Sequence, residues 1–280
     1  MGRVSSLYDV LNRVTVEAHL APYRVGERDL ALCHLAHLNP DDLLLFDRGY
    51  PAFWLFALLR RVALQCCMRL TVNYSPAVQQ FVASGQPEQV IEMAPGGTAR
   101  RECRKRGMSL DPVAVRLVRV ELTSGEVEVL ATSLLDTVAY PQHIFGELYH
   151  HRWGIEEGYK VVKCRAEIEN FSGKSVHSAM QDFHAKIVTT NLTALLVHQA
   201  QSEVAAPERR HPVPVNFSHA IARMKDTMVR LFTAAHPCLL LDACIDVLRR
   251  TVEPVRPNRS FPRLKRITLQ RFRTTHKRCG

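Results

Sequence analysis

Two tryptophans, Trp54 and Trp153, are all this chain has, and none of its eight cysteines forms a Cys-x-x-Cys pair. The missing pair argues against a zinc ribbon, and the scattered spacing argues against a disulfide framework. Cys66 and Cys67 are adjacent in an apolar run, Cys33 and Cys164 fall in expected helices, and Cys279 is next to last. That distribution reads as buried free thiols in a reducing cytosol. No signal-peptide pattern opens the chain, and the longest apolar run, residues 51–59, is too short to span a bilayer. The expectation is a soluble cytoplasmic protein with no membrane partner. No internal repeat is visible.

What the chain does carry is positive charge. Lys and Arg number 37 against 27 Asp and Glu, a net charge of +10. An excess of this size points to a polyanionic partner, with nucleic acid the default. The length of 280 residues accommodates one large domain or two small ones, and 46% hydrophobic content is ordinary for a globular protein.

The most informative stretch is residues 145–163, FGELYHHRWGIEEGYKVVK. It reads as one helix. At roughly 100° per residue, Tyr149, Arg152, Glu156 and Lys163 fall within a sector of about 60°, and Lys160 shares that face. Ile144, Phe145, Leu148, Ile155, Tyr159 and Val162 form an apolar stripe beside it. A single carboxylate is thus ringed by cations and a phenol. His143, His150 and His151 project away from this face and read as surface residues. Ser172-Gly173-Lys174-Ser175 lacks the earlier glycine of a phosphate-binding loop, because position 168 is Ile168.

A second stretch is Leu43-Leu44-Leu45-Phe46-Asp47, a short apolar run between turn signals. It suits a strand covered on both faces, as in the middle of a mostly parallel sheet. Asp47 stands at its carboxyl end, where functional groups gather in open α/β sheets. A helix over residues 52–64 and a strand over 66–72 follow. Two strands are expected within residues 4–20, and helices over 27–38, 181–199 and 216–250. In the last of these, Phe232, Leu239, Leu240, Leu241 and Val247 are the expected core. Residues 113–122 and 127–132 alternate around a Ser-Gly turn and read as a β-hairpin. Just before them, Arg100, Arg101, Arg104, Lys105 and Arg106 form a basic run that suits either phosphate contact or a solvated loop.

The spacing Tyr149, Arg152, Glu156, Lys163 resembles the Y-R-E-K signature of DDE transposases of the insertion-sequence-four family. The segment around Asp47, LLLFDRGYPAFWLFALL, is similar to the part of that family carrying the second catalytic aspartate. The resemblance implies an α/β fold with a ribonuclease-H-like mixed sheet flanked by helices and interrupted by a β-rich insertion. It implies metal-dependent cleavage and strand transfer on double-stranded DNA, at the ends of a mobile element and at its target. Asp47 and Glu156 become the catalytic and metal-holding carboxylates, for two Mg²⁺ or Mn²⁺ ions about 3.5–4 Å apart in an intact site. Tyr149, Arg152 and Lys163, with Lys160 beside them, become contacts to DNA phosphates. A homodimer in a synaptic complex and a bacterial, nucleoid-associated cytoplasmic location are implied as well.

The family pattern begins with an earlier aspartate, and no residue here fits it. Asp9 stands only 38 residues before Asp47, and its surroundings, SLYDVLN, resemble the family's following strand pair. The expectation is a chain starting downstream of the usual family start, without the first strand. Such a chain would hold two carboxylates instead of three. An inactive DNA-binding fragment that regulates or pairs with intact transposase stands as the alternative. The family's flipped-base aromatic is also in doubt, since residues 81–135 contain one aromatic, Phe81. The expected organisation is residues 1–80 and 136–205 as the two parts of the catalytic domain, 81–135 as the insertion, and 206–280 as a helical and basic C-terminal region.

Overall fold

A computed structural model of the chain describes residues 2–122, 124–204 and 213–254. The basic tail expected from residue 256 onward lies outside them, as does most of the expected loop at 201–215. The chain divides into two compact units, one formed by residues 1–23 and 155–280 and the other by residues 24–154.

The first unit opens with β1 (Gly2–Asp9) and β2 (Val14–Pro22), an antiparallel hairpin in a two-stranded sheet of its own. Asp9 accepts from the backbone N–H groups of Leu11 and Asn12 at 2.9 and 3.0 Å, so this carboxylate shapes the hairpin turn.

The second unit runs α1 (Glu27–Cys33), β3 (Leu43–Phe46), α2 (Phe53–Arg61), β4 (Gln65–Leu70), α3 (Pro76–Ser84), β5 (Glu88–Met93), α4 (Gly97–Lys105), β6 (Val113–Glu121), β7 (Val127–Thr132) and α5 (Phe145–His150). Its five strands form one mixed sheet in the order β3-β4-β7-β6-β5. β3 and β4 are parallel, with Phe46 opposite Met68, and the remaining pairs are antiparallel. The expected hairpin is therefore present as β6 and β7, closed by Gly125 at φ 83°. It joins the sheet that contains the Asp47 strand.

Alternation along the strands covers both faces of this sheet. Leu44 and Phe46 of β3, Cys66, Met68 and Leu70 of β4, and Val113, Val115 and Leu117 of β6 face a large core completed by Phe53, Trp54, Phe56 and Phe81. Leu43, Leu45, Cys67, Val118 and Leu130 face a smaller one completed by Phe145 and Tyr149 of α5. On the second face one charged side chain lies wholly inside the core. Arg116 is fully buried; its Nε donates to Glu88 at 3.0 Å and its Nη1 to the Tyr140 carbonyl at 2.7 Å. Its guanidinium also lies 5.1 Å from the centre of the Phe145 ring. A buried arginine is tolerated only when its donors are filled and its charge is matched. Here one carboxylate and a run of loop carbonyls do both, which fixes the connection from β7 to α5.

The rest of the first unit is α6 (Trp153–Cys164), which begins at the boundary between the units, then α7 (Val176–Glu203), α8 (Phe217–Thr233) and α9 (Pro237–Arg250). Asn191 of α7 clamps β2, accepting from the Thr15 N–H at 2.8 Å and donating to the Thr15 carbonyl at 2.7 Å. Ser175 caps α7 by accepting from Ser178 N–H at 3.0 Å, which gives the Ser-Gly-Lys-Ser segment a structural role.

Several expectations need correction. The single helix over 216–250 is two helices, because Pro237 starts a new one after the break at residues 234–236. Phe232, in the last turn of α8, and Leu239, in the first turn of α9, are exposed at 75% and 67%; the buried positions are Ala220, Ile221, Met224, Thr227, Cys244 and Leu248. The helix expected over 27–38 stops at Cys33 and continues as a tighter turn, His34–His37. The basic run is not a loop but helix α4. Of the cysteines expected to be buried, Cys33, Cys164 and Cys238 are exposed, and no two described cysteines are bonded. No helix among the described residues is long and apolar enough to cross a membrane.

Removing the carboxylate opposite Arg116 isolates a buried charge. Glu88→Ala is expected to destabilise the second unit by roughly 3 kcal/mol. Both tryptophans lie in that unit, so urea unfolding followed by their fluorescence measures the change.

Candidate active site

The sequence-expected residues fall into two groups. Asp47, Tyr149 and Arg152 belong to the second unit, and Glu156, Lys160 and Lys163 to the first. The expected single helix over 145–163 is broken between them. α5 ends at His150, residues 151–152 form a turn, and α6 starts at Trp153. At the break the backbone tightens to three-residue spacing, with Arg152 N–H on the Tyr149 carbonyl at 3.0 Å and Gly154 N–H on the His151 carbonyl at 2.8 Å. Gly154, a poor helix former, sits at this point. The shared 60° sector therefore does not describe the four signature residues.

In the second unit, β3 delivers Asp47 to its carboxyl end, where the side chain is exposed. The turn after it is closed by Asp47 itself: Oδ1 accepts from Gly49 N–H at 2.8 Å. Oδ2 makes no hydrogen bond among the described residues. Immediately before it, the Phe46 carbonyl accepts a hydrogen bond from the Tyr149 hydroxyl at 3.0 Å. Tyr149 was expected on the exposed charged face, but its ring is 4% exposed and belongs to the smaller core with Phe145, Cys67 and Leu130. Burial pushes its phenol above the ordinary tyrosine range, and the Arg152 guanidinium opposes that push only in part. At neutral pH the hydroxyl is protonated and serves as a donor.

Arg152 lies between two aromatic faces, its guanidinium carbon 5.7 Å from the Tyr149 ring centre and 5.1 Å from that of Trp153. Trp153 itself is 49% exposed. Stacking of this kind holds a guanidinium's orientation. Two further groups escaped the sequence reading. Arg69 on β4 and Glu128 on β7 form an ion pair at 2.7 Å, and both charges act on Tyr149. Strict alternation was the signal that could have found them, since it places Arg69 on the face of Cys67 and Glu128 on the face of Leu130.

In the first unit, Glu156 occupies the opening turn of α6, where the helix dipole favours a negative charge. Lys160 and Lys163 follow on its side by helical spacing. Both are exposed, and both have an acidic neighbour. Lys160 pairs with Glu157, and Lys163 lies 3.9 Å from Glu169. Exposed pairs of this type are weak and exchange readily for a stronger anion. Neither Asp47 nor Glu156 is sealed in an apolar interior. Carboxylate oxygens at accessible positions suit a hard divalent cation such as Mg²⁺.

Tyr149→Phe keeps the buried ring and deletes the donor to Phe46. It is expected to cost the second unit about 1–2 kcal/mol, seen as a lower urea midpoint with unchanged slope.

Comparison with known proteins bears on this arrangement. Residues 2–192 match the family described as Transposase DDE domain. Transposase InsG for insertion sequence element IS4, from Escherichia coli (strain K12), is 23% identical over 155 residues, which cover 55% of this chain and 34% of that protein. The chain thus spans about a third of the relative's length. The matched region takes in Asp47 and all four residues of the signature, together with both sheets. The chain belongs to the DDE transposases of the insertion-sequence-four type.

Proposed function

We propose that this chain carries metal-dependent phosphodiester chemistry on double-stranded DNA, with Asp47 and Glu156 as the carboxylates that hold Mg²⁺ or Mn²⁺. The observation that carries this reading is Asp47 itself. It is exposed at the end of a buried strand, with one oxygen spent on its turn and the next carbonyl back fixed by Tyr149. A bound divalent ion would supply charge neutralisation at the phosphate and a more acidic water or hydroxyl as nucleophile. The chain's own residues supply position. The Gly49 N–H orients the Asp47 carboxylate, and Tyr149 holds the strand end from which it projects.

Arg152, Lys160 and Lys163 are the proposed DNA contacts. An arginine fork binds two phosphate oxygens at once, and a lysine acts as a mobile point charge. With its ring buried and its hydroxyl engaged by Phe46, Tyr149 takes a supporting role in this reading, in place of the direct phosphate contact first expected. The substrate is proposed to be the ends of a mobile element, with a homodimer as the assembly.

A second reading is binding without cleavage, as in a chain that regulates or pairs with intact transposase. It is favoured by the state of Asp9, whose carboxylate oxygens are engaged by Leu11 and Asn12 in its own turn.

The readings separate in a cleavage assay with Mn²⁺ on element-end DNA. The first predicts nicking by the unaltered chain that falls by at least about a hundredfold in Asp47→Asn and in Glu156→Gln, with DNA binding retained. Equal binding and no cutting by all three proteins would favour the second.

A further inference from the structure

We infer that α4 is a second DNA-backbone contact surface, separate from the signature residues, presented by Arg101, Arg104 and Lys105. The inference rests on the DNA-acting reading above and extends it to a different part of the second unit.

The helix is firmly seated. Cys103 is fully buried in the larger core, with Ala99 packed against the same cluster. Just past its end, Arg106 stacks 4.1 Å from the Trp54 ring centre and pairs with Asp29 at 2.8 Å. These contacts fix which face of α4 points out. On that face Arg100, Arg101, Arg104 and Lys105 are all exposed.

Among the described residues their charge has no match. The helix has one acid, Glu102, and Arg106 lies 3.8 Å from it. Arg100 donates its Nε to the Pro95 carbonyl at 3.1 Å, which leaves the charge uncompensated. Arg101, Arg104 and Lys105 make no hydrogen bond or ion pair among the described residues. The spacing adds to this. Arg100 with Arg104, and Arg101 with Lys105, are like charges four residues apart, an arrangement that destabilises a helix. Cations at Arg104 and Lys105 suit the negative end of the helix dipole, but Arg101 gains nothing from it. No acidic residue occupies the first turn to compensate. A polyanion laid along this face relieves the repulsion that the fold leaves in place. Turns of cations at helical spacing on a rigid support offer several phosphates a contact at once, with no base-specific geometry required.

The test is fluorescence anisotropy of a labelled random-sequence duplex with the full chain, repeated over a series of salt concentrations. Arg101→Gln/Arg104→Gln/Lys105→Gln is compared with the unaltered chain and with Arg101→Lys/Arg104→Lys/Lys105→Arg. Each phosphate contact contributes about 0.9 to the slope of log affinity against log salt. The glutamine variant is expected to flatten that slope by about 2–3, and the charge-keeping variant to retain it. Because the substitutions remove repulsion, the glutamine variant should melt no lower than the unaltered chain. If it folds poorly, the single glutamine variants carry the same test, each flattening the slope by about 0.9. Normal binding by the unaltered chain with an unchanged slope in the glutamine variants would overturn the α4 surface alone. Absence of salt-dependent binding by the unaltered chain would overturn both this surface and the DNA-acting function.

Discussion

One hydrogen bond, from the Tyr149 hydroxyl to the Phe46 carbonyl, connects parts of the chain 103 residues apart and fixes the end of the strand that presents Asp47. Strand β3 is only four residues long and lies at one end of its sheet. A strand that short, paired on one side, needs help to hold its last residue still. The donor comes from a buried ring, so its own position is set by packing against Cys67, Leu130 and Phe145. A phenol is protonated at neutral pH and so can donate, and burial raises its value further. An inaccessible tyrosine thus holds the strand end from which the accessible carboxylate projects.

The same unit solves a related problem with Arg116. Helix α5 reaches the sheet only after the connection from residues 133 to 144, which has little regular structure. The buried guanidinium binds carbonyls of that connection, touches Phe145 at the start of α5, and is neutralised by Glu88 on the edge strand β5. Strand, connection and helix are therefore joined through one charged side chain. Cationic residues thus do two different jobs in this unit. Arg116 holds it together from inside, while α4 leaves its cations facing outward.

Much of the fold was legible in the sequence because it is written in local pattern. Four apolar residues bounded by turns gave β3, although it lies at the edge of a mostly antiparallel sheet and not in the middle of a parallel one, and alternation around a Ser-Gly turn gave the β6–β7 hairpin. That this hairpin would enter the Asp47 sheet was not legible, because the pairing of β7 with β4 joins segments about sixty residues apart and leaves no local trace. The break in the signature helix was missed for an energetic reason. A lone glycine costs a helix only about 1 kcal/mol, so Gly154 did not outweigh the periodicity around it. Phe232 and Leu239 read as core of one helix, but they fall in the last turn of α8 and the first turn of α9, on either side of the break. Of the candidate residues, Asp47, Lys160 and Lys163 are exposed and Arg152 and Glu156 partly so. Tyr149 was misread because helical position alone does not say whether a phenol points its hydroxyl at solvent or at a neighbouring strand.

Whether Asp47 and Glu156 hold a divalent metal is tested by direct titration of the full chain with Mn²⁺, read by the loss of its free-ion electron paramagnetic resonance signal, with no DNA substrate needed. Asp47→Asn and Glu156→Gln are each expected to weaken binding by about tenfold or more. Saturable Mn²⁺ binding that survives unchanged in both variants would contradict it.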